Sequence, residues 1–182
     1  MYKRQVLYEV DVTVFSLIHQ LPHPTWATGL MWACSLAGSA GLVWVIAAAI
    51  IAIRNQDFGG FWRVLLAIFF VIGIVNVVLK PLVDRTRPYE HNHTEAHYMT
   101  PLPSTPSFPS GHTATAAAGA YAVTQLAPAT ATFVWPMAVA VAFSRIYLGV
   151  HYPFDVIAGW LIGLAGGVFV TGSVSYGTRK AR

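Results

Sequence analysis

Charge is scarce in this sequence. Of its 182 residues only 10% are Asp, Glu, Lys or Arg, against 55% hydrophobic, and the mean hydropathy is +0.56. A soluble domain of this length needs more polar surface, so a water-soluble globular protein is excluded and the bilayer is the expected solvent. Cysteine is nearly missing too. The single thiol, Cys34, rules out an intrachain disulfide and a cysteine-based metal centre; beside Trp32, Ala33 and Ser35 it is expected to be a small packing residue. The net charge is +4 and the pI near 9.4, but the cations sit at the ends of apolar runs rather than along one face. That pattern excludes a nucleic-acid partner and suits an anionic membrane surface. Internal repeats and low-complexity stretches are absent. The Leu21-Pro22-His23-Pro24 break does not resemble a signal-peptide cleavage site, so the N-terminus is expected to be retained.

What is present is a series of apolar stretches, each close to the ~20 helical residues that a hydrocarbon core requires. They run from Trp26 to Ile53, Phe61 to Leu79, Thr113 to Ala127, Thr130 to Val150 and Phe154 to Ser173. The expected fold is all-α: an integral membrane bundle of about five to six helices, forming a single domain over residues 1–182. Residues 1–25 are expected to form an interfacial segment, because Glu9, Asp11 and His19 interrupt the apolar run from Val6 to Leu21. The tryptophans are read as packing or belt residues.

Counting crossings then sorts the charged groups. Pro81 predicts that the second span ends near Lys80, since proline cannot donate to a continuing helix. The long proline-rich connection from Pro81 to Pro109 lies on that same face, and Ser110 is placed as the N-cap of the next helix. Two further crossings return Ser144 and Arg145 to it, ahead of the break at Gly149 and Pro153. Lys80, Asp84, Arg85, Arg87, Ser110, His112, Arg145, His151 and Asp155 are therefore expected at one end of the bundle. Cations converging with two histidines at membrane depth describe a phosphate pocket, with Arg offering a planar fork of donors and Lys a compact charge. Arg85 fits either this pocket or lipid headgroups.

Three ordered motifs carry a resemblance. Lys80-Pro81-Leu82-Val83-Asp84-Arg85-Thr86-Arg87-Pro88 is a lysine, six residues, then Arg-Pro; Pro109-Ser110-Gly111-His112 follows; and Ser144-Arg145 leads through five residues to His151 and three more to Asp155. Over residues 80–155 the chain resembles the type 2 phosphatidic acid phosphatase family, whose signature is shared with vanadium haloperoxidases. The resemblance implies that His151 attacks phosphorus to form a phosphohistidine while Asp155 holds its other ring nitrogen. It implies that His112 protonates the leaving oxygen and then activates water, and that Lys80, Arg87, Ser110, Gly111 and Arg145 bind the phosphate. The physical chemistry agrees: an imidazole nitrogen attacks only when its partner nitrogen carries the proton, and a carboxylate enforces that tautomer. Asp155 reads alternatively as a first-turn partner of the helix dipole.

No cofactor and no metal are expected. His91, His93, Glu95 and His97 offer zinc-type ligands, but their spacing suits no common site. Phe108, Tyr147, Tyr152 and Phe154 either wall the pocket or anchor at the interface. The expected partners are a lipid phosphate or pyrophosphate and the bilayer, with no obligate protein partner. Undecaprenyl pyrophosphate, phosphatidylglycerophosphate and phosphatidic acid all fit. A phosphotransferase or an anion-binding transporter is the alternative from another class. Arg54, Arg63, Arg179, Lys180 and Arg182 on the opposite face, against Lys3 and Arg4, predict a plasma-membrane protein with its site on the extracytoplasmic side.

Overall fold

The computed structural model describes residues 2–91 and 102–180, with side chains described from residue 5 to 172 except at His91. His93, Glu95 and His97, and the side chains of His91, Lys3, Arg4, Arg179, Lys180 and Arg182, lie outside the described residues. Within them the regular structure is helical, as expected: α1 (Tyr2–His19), α2 (Thr25–Ala37), α3 (Leu42–Asn55), α4 (Phe58–Gly73), the short α5 (Lys80–Val83) and α6 (Pro88–His91), α7 (Gly111–Leu126), α8 (Ala131–Tyr147) and α9 (Pro153–Lys180). Three helical stretches are long and apolar enough to cross a membrane: 58–90, 128–147 and 153–172.

The expected first span is not one helix. Ala40 (φ 49°) and Gly41 (φ 76°) take left-handed backbone between α2 and α3, and the two helices meet at a bend of 52°. Left-handed geometry ends a helix, and glycine takes it without strain. The expected third span is shorter than a bilayer crossing: α7 has 16 residues. It tolerates this because it is the centre of the bundle, packed against α3, α4, α8 and α9, with nearly every residue from Thr113 to Val123 buried.

Small residues make that central position possible. Gly159 and Gly163, four apart and so on one side of α9, face the backbone of α7; a Cβ at Gly159 would fall 2.5 Å from the Ser110 carbonyl oxygen, and one at Gly163 would collide with that of Ala114. Close helix approach through small residues is how apolar helices gain contact when lipid is as apolar as their own side chains. On the far side, Trp44 of α3 is buried over Gly119. The outer surface is apolar, with Val77, Phe69 and Phe133 at 75%, 66% and 78% exposed, as a surface solvated by acyl chains requires. Trp26 and Trp62 are exposed there as well.

Pro81 does not end the second span. From Ile74 to Leu79 the helix widens into a π-turn in which the Lys80 amide donates to Val75, and one further turn follows to Val83. The widened turn shifts the carbonyls that Pro81 would otherwise meet, and its missing N–H is not called on. Asp84, in left-handed geometry (φ 44°), then reverses the chain so that Arg85 and Arg87 turn back over the bundle.

Candidate active site

At this end of the bundle a cavity of ≈ 270 Å³ is lined by Ala40, Ile72, Asn76, Lys80, Arg87, Pro103, Thr105, Gly111, His112, Thr115, Arg145 and His151. Its walls hold three cations and, among the described residues, no carboxylate. The cations are fixed from behind. Lys80 Nζ donates to Thr105 Oγ1 at 2.9 Å; Arg87 Nε donates to the Thr105 carbonyl at 2.7 Å and its Nη1 to the Val150 carbonyl at 2.9 Å; Arg145 Nη1 donates to Ser35 Oγ. All three residues are buried. Three buried cations converging on one small volume favour a multiply charged anion there.

His151 sits in the turn between α8 and α9, and its two nitrogens face different surroundings. Nε2 lies 3.4 Å from Arg87 Nη1 on the cavity side. Nδ1 faces away, 3.4 Å from Ser107 Oγ and 3.6 Å from Asp155 Oδ2. Ser107 Oγ donates to that same Oδ2 at 2.5 Å, and the Tyr152 amide donates to it at 2.9 Å. A guanidinium can only donate, so Nε2 is the acceptor and Nδ1 carries the proton toward Ser107 and the carboxylate. Burial, reinforced by Arg87 and Arg145 and opposed by Asp155, pulls the His151 imidazole down to about 3, so it is neutral at physiological pH.

His112 stands in the first turn of α7, with Nε2 3.3 Å from Ser39 Oγ in the α2–α3 break. Ser110 precedes it as N-cap: its Oγ accepts from the Thr113 amide, and its own amide donates to the Asp155 carbonyl at 2.9 Å. The first amides of a buried helix, led by Gly111 at the cavity wall, add the positive end of a dipole.

Comparison with known proteins identifies the family of the chain. The profile of the PAP2 superfamily matches residues 60–179. The chain belongs to the PAP2 superfamily. It is a multi-pass membrane phosphatase, and its PAP2 relatives include an undecaprenyl-diphosphatase of Sulfolobus acidocaldarius, 35% identical over 160 residues that cover 84% of this chain and 73% of the relative. Another is a decaprenylphosphoryl-5-phosphoribose phosphatase of Mycobacterium tuberculosis, 37% identical over 76% of this chain and 75% of the relative. Among solved structures, a transmembrane PAP2-type phosphatidylglycerolphosphate phosphatase from Bacillus subtilis superposes with TM-score 0.71 at 25% identity, covering 94% of this chain and 87% of that one.

Of the PAP2 residues expected from sequence, Lys80, Arg87, Gly111, His112, Arg145 and His151 line one cavity. Asp155 lies behind His151, and the Ser110 side chain is engaged in capping. Arg85 does not line the cavity; it bridges Asp11 and Asp155. Sequence reasoning missed Ser35, Ser39, Thr105 and Ser107. Ser35 is buried near the end of α2, Ser39 lies in the break after it, and Thr105 and Ser107 sit in an irregular loop where no periodicity marks a residue as inward-facing; only Ser107, three residues ahead of Ser110, stood close enough to a motif to be suspected.

Proposed function

We propose that the protein hydrolyses a polyprenyl phosphate or diphosphate, or a related lipid phosphomonoester, through a phosphohistidine on His151 without a metal ion. The split environment of the His151 ring carries this reading: the lone pair of Nε2 is turned to the cationic cavity and the Nδ1 proton to Ser107 and Asp155. Nε2 attacks phosphorus, the bond to the leaving oxygen breaks, and His112 supplies that oxygen with a proton. His112 then takes a proton from water as it attacks the phosphoenzyme, the P–N bond breaks and inorganic phosphate leaves. Lys80, Arg87, Arg145 and the α7 amides hold the equatorial oxygens, whose charge they neutralise as it spreads in the transition state.

The lipid is expected to lie with its phosphate at Lys80 and its chain toward Ile72, which lines the same cavity roughly 12 Å further along the helix. The polyprenyl substrates in the names of two relatives favour that chemistry over phosphatidylglycerophosphate and phosphatidic acid. The whole chain acts as one domain, and the site faces the extracytoplasmic side of the plasma membrane. The test is phosphate release by the detergent-purified protein from undecaprenyl diphosphate, phosphatidylglycerophosphate and phosphatidic acid, with excess chelator and a His151→Ala control. Release that survives chelation and vanishes in the variant supports the reading; a need for divalent metal, or activity without His151, overturns it.

A further inference from the structure

Helix α1 lends no residue to the cavity, yet it carries one of the most deeply buried carboxylates in the described molecule. Asp11 is 1% exposed, on the same side of α1 as Phe15, whose ring meets that of Tyr152 edge-on at 5.4 Å. Its Oδ1 accepts from the Phe154 amide at 2.8 Å and its Oδ2 from Arg85 Nη2 at 2.6 Å. The other arm of that guanidinium, Nη1, donates to Asp155 Oδ1 at 2.7 Å, and its carbon lies 4.1 Å from the centroid of the Tyr152 ring. One planar cation thus joins the N-terminal helix to the carboxylate behind the proposed nucleophile.

The two oxygens of Asp155 divide their work. Oδ1 is held by Arg85, which leaves Oδ2 to Ser107, the Tyr152 amide and the Nδ1 side of His151. With Oδ1 held by Arg85 and Oδ2 by Ser107 and the Tyr152 amide, the carboxylate is held at both ends, and Arg85 supplies the one charged contact among them. Asp11 in turn anchors the second arm of the fork and takes up part of its charge. Without Asp11 the full charge of Arg85 falls on Asp155, which becomes a weaker acceptor for the His151 proton, and the guanidinium that holds Oδ1 loses its own anchor. A mere staple for α1 would need the Asp11–Arg85 pair alone; the second arm, on Asp155, is what ties it to the chemistry.

We propose that Asp11 and Arg85 are positioning residues for the nucleophile: they hold the Asp155 carboxylate, and through it the His151 imidazole, so that α1 belongs to the catalytic machinery without touching substrate. This rests on the reaction proposed above. The experiment measures kcat and KM for undecaprenyl diphosphate with the full chain in detergent, for Asp11→Asn, Asp155→Asn, their double variant and His151→Ala, each checked for a single gel-filtration peak and its thermal midpoint. Asp11→Asn keeps the shape and an oxygen for the Phe154 amide, and is expected to lower kcat roughly tenfold or more with KM within about twofold. In the Asp155→Asn background the same change is expected to alter kcat less than about twofold, since the effect passes through Asp155. Should Asp11→Asn not purify, Arg85→Lys is read by the same criteria, as it keeps the charge but cannot span both carboxylates. An unchanged kcat in Asp11→Asn, or losses that multiply in the double variant, overturns the inference while an inactive His151→Ala leaves the reaction standing. Activity in His151→Ala overturns the reaction and the inference together.

Discussion

Ser107→Ala tests the hydrogen-bonded link behind the nucleophile most sharply. The Ser107 hydroxyl is fully buried, donates to Asp155 Oδ2 at 2.5 Å and lies 3.4 Å from His151 Nδ1, closer than the carboxylate itself at 3.6 Å. Its removal deletes one charge-assisted hydrogen bond, worth about 1.5–3 kcal/mol. Asp155 keeps the Arg85 and Tyr152 bonds, so the carboxylate is not stranded, and the missing oxygen leaves only a small void. If the bond tightens as His151 gains positive character on attacking phosphorus, the loss appears in the transition state, a fall in kcat of about 10- to 100-fold. KM should change little, because Ser107 does not line the cavity. The assay is steady-state phosphate release with a chain-matched lipid, beside a thermal melt showing that the variant is folded. A kcat within about twofold of the parent would refute the reasoning, showing that His151 and Asp155 close on each other directly.

Other outcomes follow from the same geometry. Gly163→Ala drives a Cβ into the Ala114 carbonyl at the α7–α9 seam, where neither backbone can yield; it should cost about 1–3 kcal/mol and lower the detergent thermal midpoint by several degrees. Because His151 is held at about 3 when folded against an ordinary 6.5, the unfolded chain takes up a proton below pH 6.5 that the folded protein refuses. Stability is therefore full above pH 6.5 and declines as pH falls toward 3, and His151→Asn should flatten that decline in melts run across the range. Ile72→Trp fills part of the apolar wall of the cavity and should raise KM for a long-chain lipid phosphate by more than for a water-soluble aryl phosphate, read from paired kinetics.

Much of the site was legible in sequence because helix ends are punctuated. Ser110, Gly149 and Pro153 mark where chain direction changes, and Pro81 stands three residues ahead of the reversal at Asp84; counting crossings between them is enough to bring Lys80, His112, Arg145 and His151 together. Proline was nonetheless misjudged as a terminator, since the π-turn that accommodates Pro81 leaves no trace in hydropathy. The bend at Ala40 and Gly41 was hidden for a similar reason: an apolar run from Trp26 to Ile53 looks alike whether straight or broken. That break carries Ser39 to His112, and Ser35, near the end of α2 ahead of it, meets Arg145, so missing the break meant missing two supports of the site. Asp11 was read as a polar interruption of an interfacial helix. Its spacing of four from Phe15 was the available clue that both point inward, but its partners lie on α9 and in the loop after α5, which no local pattern connects to α1.

The central claim is that His151 carries the phosphoryl group. The most direct measurement is to quench the chelator-treated enzyme during turnover of a substrate radiolabelled at the transferred phosphorus and to map the adduct by peptide sequencing and its acid and alkali stability. The account predicts an acid-labile, alkali-stable phosphoryl group on the peptide containing His151, absent from His151→Ala. Labelling at another residue, or turnover by His151→Ala with no adduct at all, would contradict it.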